Sequence, residues 1–125
     1  MADITPIIPS DRQVIDGYGE GQFCVSGKWR TGSVVVLPDR TQPWSANDFT
    51  ALTVEDFSAV TGASPRVELL LLGSGPKMQL LPKALRQGLR DAGVVVEVMD
   101  TGAACRTYNV LLAEGRRIAA ALLPV

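Results

Sequence analysis

The chain of 125 residues contains no histidine, and that absence closes several chemical routes at once. A Ser-His or Cys-His nucleophile pair cannot be built without an imidazole, nor can the histidine-based zinc sites. Cysteine is nearly as scarce, with only Cys24 and Cys105, too few to hold a structural zinc alone. No metal site is expected and no motif calls for a cofactor. An enzyme made from this chain would have to rely on carboxylates, lysine, tyrosine or a group supplied from outside.

An excess of one charge is also missing, since 12 basic residues stand against 13 acidic ones for a net charge of -1. Interspersed signs offer no basic field to a phosphate backbone, so nucleic acid is not expected as a partner. Long apolar runs are absent too. The longest, Ile118 to Val125, falls well below the roughly 18 to 20 residues that span a bilayer, and the start "MADITPIIPSDR" lacks the basic end and apolar segment of a targeting signal. The expectation is a soluble, untargeted, cytoplasmic protein without membrane insertion, whose two cysteines remain separate buried thiols in a reducing setting.

What is present, 46% hydrophobic residues, suffices for one compact domain over residues 1–125 and not for two. "DGYGEGQFCVSGKWRTGSVVVLP" alternates apolar and polar residues with glycine at each reversal, which predicts an antiparallel hairpin layer over about 12–37. "PDRTQPWSAN", Pro38 to Asn47, is rich in turn formers and should cross over to an α/β core at 48–125, with Trp44 as an apolar anchor.

Thr53 and Asp56 have the spacing of a capping box, Leu52 and Phe57 that of a hydrophobic staple, so a short helix starts near Val54 and ends at Gly62. "RVELLLLG" reads as a strand buried on both faces, the expected centre of the sheet. Pro82 opens a helix with Leu81, Leu85, Leu89 and Ala92 on one face and Gly93 as its stop. "VVVEVM" is a second parallel strand, a third helix carries Ala104, Tyr108, Leu111 and Leu112 from Thr101 to Gly115, and "RRIAAALLPV" returns as the last strand.

Strand, helix, strand, helix, strand predicts an α/β class with right-handed crossovers over a mostly parallel sheet. Ligands of such sheets sit outside the carboxyl ends of the strands, here "LLGSG" and "VMDTG". Gly73, Ser74, Gly75, Asp100 and Thr101 are therefore expected to face one another across a crevice.

The segment "MDTGAACRTYN" is dense in chemistry, and each residue has two readings. Asp100 is either a general base or ligand contact, or a helix cap; the cap is favoured, because Asp and Thr are preferred there. Gly73 to Gly75 either present N–H groups to an anion or form a tight turn, the commoner case. Cys105, beside Arg106 and one turn into a helix, is a stabilised thiolate or, in the favoured reading, an inert buried thiol. Asn109 is harder to explain as structure, since an amide inside a helix is unfavourable unless exposed or bonded. Arg106 and Arg116 either reach the crevice to bind a carboxylate or phosphate, or form solvated ion pairs. Gly17, Tyr18 and Gly19 suggest a structural bulge.

Taken together, "IDGYGEGQF", "VVVLP", "LLLLGSG" and "EVMDTGAACRTYNVLLAEGRRIAAALLP" resemble the domain of unknown function family 498. That is the family of mitochondrial complex I assembly factor 3 and of the adipogenesis-associated domain protein, and the resemblance runs from about Ile15 to the C-terminus. It implies a three-layer fold, with a mixed central sheet of about five strands, flanking helices and an additional β layer. The mitochondrial member acts through partner proteins with no established reaction, so the resemblance implies a stand-alone, bacterial-type, non-catalytic interaction module. Such a module would be a monomer or weak homo-oligomer, docking a protein partner on Tyr18, Phe23, Trp29 or Trp44.

The alternative is a binder or enzyme for a small anionic ligand, using Gly73, Ser74, Gly75, Asp100, Thr101, Arg106, Asn109 and Arg116. It requires a pocket of roughly 300 Å³ or more with convergent polar groups and a perturbed carboxylate. Fold alone supplies no reaction, and the module reading is favoured.

Overall fold

The structure, a computed structural model that describes residues 12–125, shows first what the glycine punctuation does. Strands β1 (Ile15–Gly19), β2 (Gln22–Val25) and β3 (Lys28–Thr31) form an antiparallel sheet in that order. Both hairpins turn through two residues with positive φ, Glu20 (52°) and Gly21 (76°), then Ser26 (48°) and Gly27 (80°). These are the left-handed turns whose twist matches paired strands, and a glycine occupies the second position each time. A register shift between Ile15 and Gly17 leaves Asp16 without a cross-strand partner. The bulge therefore sits one residue before the expected glycines, and the Asp16 carboxylate accepts the Gly27 N–H at 2.8 Å.

The hairpin layer ends earlier than expected. Strand β4 (Val34–Val36) leaves the small sheet and lies antiparallel to the last strand, β8 (Ile118–Leu122), of a five-stranded sheet. The reason is in "VVV": three consecutive apolar residues suit a strand buried on both faces, and all three are buried. The stretch expected to cross over instead turns back as edge strand β5 (Thr41–Pro43), antiparallel to β4. Pro43 is tolerated because an edge strand has one row of donors unpaired.

Thr53 and Asp56 behave as predicted, the Asp56 carboxylate accepting the Thr53 N–H at 2.8 Å. The helix they start is a 3₁₀ turn, Val54–Phe57, running into the single turn α1 (Ser58–Thr61) before Gly62. Then follow β6 (Leu69–Gly73), α2 (Lys83–Asp91), β7 (Val95–Met99), α3 (Thr101–Ala113) and β8. The sheet order is β5-β4-β8-β6-β7, with β6 parallel to both β7 and β8. The middle strand is thus β8 rather than β6, because the chain crosses β6 on its way back from β7.

Right-handed crossovers that run in opposite directions place their helices on opposite faces. Leu85 and Leu89 of α2 accordingly pack with Val35, Leu70, Leu72 and Val96. Ala104, Cys105, Tyr108 and Leu112 of α3 pack with Val34, Val36, Leu71 and Ile118 on the other face, where Ile15, Phe23 and Val25 of the small sheet join them. The three layers are α1 with α2, the central sheet, and α3 beside the small sheet.

Strand β8 carries Ala119, Ala120 and Ala121, all fully buried. Alanine is a poor strand former, so packing rather than propensity sets these positions. Ala120 faces α3 between Val36 and Leu71. Ala120→Val should destabilise the fold by about 1–3 kcal/mol through overpacking, although valine is the better strand former. Urea denaturation checks the sign, and a stabilised variant would mean the layer is loosely packed.

Candidate functional site

The expected crevice at the carboxyl ends of β6 and β7 is closed by the fold's own hydrogen bonds. Gly73 brings the strand within reach of α3: a Cβ there would lie 2.9 Å from Thr101 Oγ1 and 3.0 Å from Leu122. The Ser74 N–H donates to the Met99 carbonyl at 2.9 Å, and its hydroxyl lies 2.7 Å from the Lys77 carbonyl. Gly75, at φ 99°, donates its N–H to Thr101 Oγ1 at 2.9 Å and accepts the Thr101 N–H at 2.9 Å. The donors that could have cradled an anion are turned inward.

Thr101 completes the junction. Its fully buried hydroxyl accepts from Gly75 and donates to the Leu123 carbonyl at 2.7 Å, while the Leu123 N–H reaches the Gly73 carbonyl at 3.0 Å. One hydroxyl has one proton to give and lone pairs to receive with, and here both functions are used. Asp100 sits just before the helix with one carboxylate oxygen accepting the Ala103 N–H at 2.9 Å, the cap that its residue type predicts.

The rest of the segment fastens α3 to the small sheet. Arg106 donates from Nη1 to the Tyr18 hydroxyl at 2.9 Å. Asn109 holds the backbone of Ile15 from both sides, its Oδ1 accepting the N–H at 3.0 Å and its Nδ2 donating to the carbonyl at 2.6 Å. The side-chain amide thus acts as the peptide group of a missing strand beside β1, which resolves its awkward position. The buried Tyr108 hydroxyl donates to the Gln13 carbonyl at 3.0 Å, and burial pushes the phenol pKa up against the pull of Arg12. Arg116 is exposed beyond the far end of α3. The helix of 13 residues is roughly 20 Å long at 1.5 Å per residue, so Arg116 and the Asp100 end do not share a crevice.

Sequence reasoning passed over Gly102 and Gln13. A Cβ on Gly102 would stand 2.7 Å from the Tyr18 hydroxyl, so the glycine makes room for that contact. Its signal was a poor helix former in a first helical turn. Gln13 joins Pro38, Thr41 and Tyr108 through its backbone and side chain, and nothing in its residue type announces this.

A depression of about 270 Å³ does open beside Gly75, with Asn47, Asp48, Phe49, Ser74 and Gln79 in its wall. Asp100, Thr101, Arg106, Asn109 and Arg116 do not line it. Asp48, its carboxylate, accepts from the Thr50 hydroxyl at 2.7 Å and the Thr50 N–H at 3.0 Å, which holds it below the usual carboxylate range. Among the described residues no cluster of acidic residues and cysteines has the makings of a metal site.

The four aromatic candidates divide. Phe23 and Trp44 are buried and cannot present a docking surface as they stand. Phe23 points into the core beside α3, and Trp44 lies 5.4 Å from the Phe57 ring and donates its indole N–H to the Asp56 carbonyl at 2.7 Å. Trp44 is the anchor its surroundings suggested. Trp29 is 58% exposed and Tyr18 38%. The Trp29 ring reaches across Cys24, its cross-strand neighbour, to within 3.5 Å of where a Cβ on Gly17 would be. Tyr18 and Trp29 both line an open depression of about 410 Å³ with Gly19, Glu20 and Gln22.

Cys24 and Cys105 are separate and buried. Burial pushes the Cys105 thiol up to about 12, outweighing the downward pull of the Arg106 charge. A helix start beside an arginine is thus overridden by desolvation. Iodoacetamide at pH 8 should label Cys105 only as fast as the chain unfolds; rapid native-state labelling would reveal an accessible thiolate. Thr101→Val leaves two buried backbone groups without partners and should destabilise by about 2–4 kcal/mol, against about 1 kcal/mol for Asp100→Ala, as read by urea denaturation.

The comparisons with known proteins place the chain among relatives of the same fold. The chain is 41% identical over 111 residues to an uncharacterized protein of Rhodobacter capsulatus, covering 89% of this chain and 84% of that one. It is 37% identical over 110 residues to NADH dehydrogenase (ubiquinone) 1 alpha subcomplex assembly factor 3 of Mus musculus, covering 88% of this chain but only 60% of that protein's length. A crystal structure of a Bordetella parapertussis protein superposes with a TM-score of 0.83 at 34% identity, over 91% of this chain and 97% of the other. Residues 15–123 match the pattern of a whole family, and the chain belongs to it: the family described as protein of unknown function (DUF498/DUF598).

Proposed function

We propose that the chain is a non-catalytic protein-docking module of the assembly-factor kind, which receives its partner on the small sheet around Trp29. The observation that carries this reading is the exposure of Trp29, 58%, on a seat built for it by Gly17 and Cys24. Tryptophan is the side chain most enriched among residues that dominate binding, because it buries a large rigid surface at small entropic cost. Leaving it in water stabilises the isolated fold little.

Two further points support the reading. Asp100, Thr101, Arg106 and Asn109, four of the candidates for the expected ligand crevice, are each engaged by hydrogen bonds within the fold, and a relative over most of this chain is named as an assembly factor. Because this chain spans 60% of that relative's length, a role in assembling a respiratory complex is part of the proposal. A reducing, cytoplasmic setting fits the separate thiols of Cys24 and Cys105.

The test compares capture of partners from source cells by the wild-type chain, Trp29→Ala and Asp100→Asn, each checked for native circular dichroism. The wild-type and Asp100→Asn proteins should retain the same discrete set, and Trp29→Ala should bind it at least about tenfold more weakly. Retention by Trp29→Ala, or no specific retention by any of the three, would overturn the docking reading.

A further inference from the structure

An open sheet edge presents a row of unpaired N–H and C=O groups, which a fold ordinarily covers or blunts. Of the four edges among the described residues, β1, β3, β5 and β7, three are treated in this way. The Asn109 amide takes up the backbone of β1 at Ile15, Pro43 interrupts β5, and Arg86 Nη1 caps the Val96 carbonyl of β7 at 2.8 Å. Strand β3 has no such cover, and all its residues but the half-buried Arg30 are exposed.

The hairpin fixes which groups of β3 are free. Its two-residue turn makes Val25 and Lys28 a hydrogen-bonded pair, and at the other end Gly32 donates its N–H to the Gly21 carbonyl at 2.8 Å. By the alternation of an antiparallel ladder, Lys28, Arg30 and Gly32 turn their backbones toward β2, while Trp29 and Thr31 turn theirs outward. Among the described residues neither of these two has another backbone partner. The side chains alternate as well. Trp29 lies over Cys24 and Gly17 on the outer face, whereas Lys28 and Arg30 stand opposite Val25 and Phe23 on the face toward α3. Among the described residues neither cation forms an ion pair. Of the acids nearby, Asp16 is engaged by the Gly27 N–H and Glu20 stands in the turn before β2.

We infer that β3 receives an extended segment of the partner protein as a further strand of the small sheet, with acidic residues beside Lys28 and Arg30 alternating with apolar residues beside Trp29. This rests on the docking reading above and names the chemistry of what docks. Strand addition takes its hydrogen bonds from the outward backbone of Trp29 and Thr31, and alternate side chains supply the selectivity. Opposite charges pair across strands on one face, and apolar side chains meet the indole on the other. A second copy of this chain does not fit. Pairing β3 with itself about a two-fold axis would bring Lys28 and Arg30 of both copies onto one face, like charges opposed. The two cations thus turn away the chain's own copies and select an acidic strand.

The probe is a short capped peptide that alternates valine and glutamate, added to the ¹⁵N-labelled full chain, with a valine–lysine peptide of equal length as its control. Before addition, the N–H groups of Trp29 and Thr31 should exchange with solvent at least about a hundredfold faster than that of Arg30; equal protection of all three would show the edge already covered and overturn the proposal. The glutamate peptide should shift the β3 amides and saturate with a Kd of about 0.1–1 mM. The lysine peptide should bind at least about tenfold more weakly, a difference that Lys28→Glu should remove. Only alternate N–H groups of an added strand face β3, so N-methylation of either the valine amides or the glutamate amides should abolish binding, and methylation of the other set should not. Absence of saturation, equal binding of the two peptides, or the same effect from both methylated sets would each overturn the strand addition. Thr31→Pro, checked for native circular dichroism, separates this from the docking reading, because it removes an outward N–H that β2 does not use. It should lose the cell partners that Trp29→Ala loses. Loss in Trp29→Ala with full capture by Thr31→Pro would overturn the strand addition and leave docking on Trp29 standing, whereas retention by Trp29→Ala would overturn docking itself. If Thr31→Pro fails to fold, the methylated peptides decide the matter.

Discussion

The hydroxyl of Thr101 is the point on which the architecture depends. Three chain segments end there: β6 through Gly75, β8 through Leu123, and the start of α3, whose first residue it is. A buried junction of backbone groups must satisfy each donor and acceptor or lose the interaction with water for nothing. One side chain with a donor and an acceptor does so here, and the missing Cβ of Gly73 lets it approach. The same contact that joins the strand ends also turns Thr101 and the Gly75 N–H away from the space in which an α/β sheet ordinarily binds its ligand.

Helix α3 extends that logic along its length. A helix that packs on a sheet by apolar contacts alone could slide or rotate by a fraction of a turn, because dispersion is not directional. Arg106, Tyr108 and Asn109 remove that freedom by gripping Tyr18, Gln13 and Ile15. The small sheet is thereby fixed to the helix by polar contacts at one edge and by Phe23 and Val25 in the shared core. Residue types that suggest catalysis when read as a list are fasteners when read as a surface, and the difference is whether their partners are backbone atoms or solvent.

That difference explains how much of the molecule was legible beforehand. Elements announced by local chemistry were readable: "LLLLG" and "VVVEVM" as strands, Pro82 and Gly93 bounding a helix, Asp100 as a cap. Long-range facts were not. "VVV" could be assigned to strand but not to a sheet, because its partners are β8 and β5, one of them more than 80 residues away. Phe23 and Trp29 are both aromatic residues on alternating strands, and only the position of α3 decides that one is buried and the other exposed. Asn109 could be marked as anomalous, yet its partner Ile15 lies 94 residues earlier. The family resemblance carried the three-layer arrangement, while the roles of individual side chains needed the fold.

One stretch of chain joins the end of the central sheet near Pro38 to the small sheet that carries Trp29. Gln13 is tied to Pro38, Thr41 and Tyr108, and Ile15 begins the strand that leads to Gly17 and Tyr18. Such continuity invites the thought that a change at one end would be felt at the other. Coupling, however, requires a segment with two arrangements of similar free energy, each preferred by one ligand. Between Gln13 and Ile15 the polar groups of the backbone are held by α3, by Pro38 in the turn after β4, and by Ser26 in the turn between β2 and β3, at 2.6–3.3 Å, and exchanging those contacts would strand the partners of Gln13 and Ile15. The segment is built as a strut that holds the turn after β4 and the start of β1 in one arrangement.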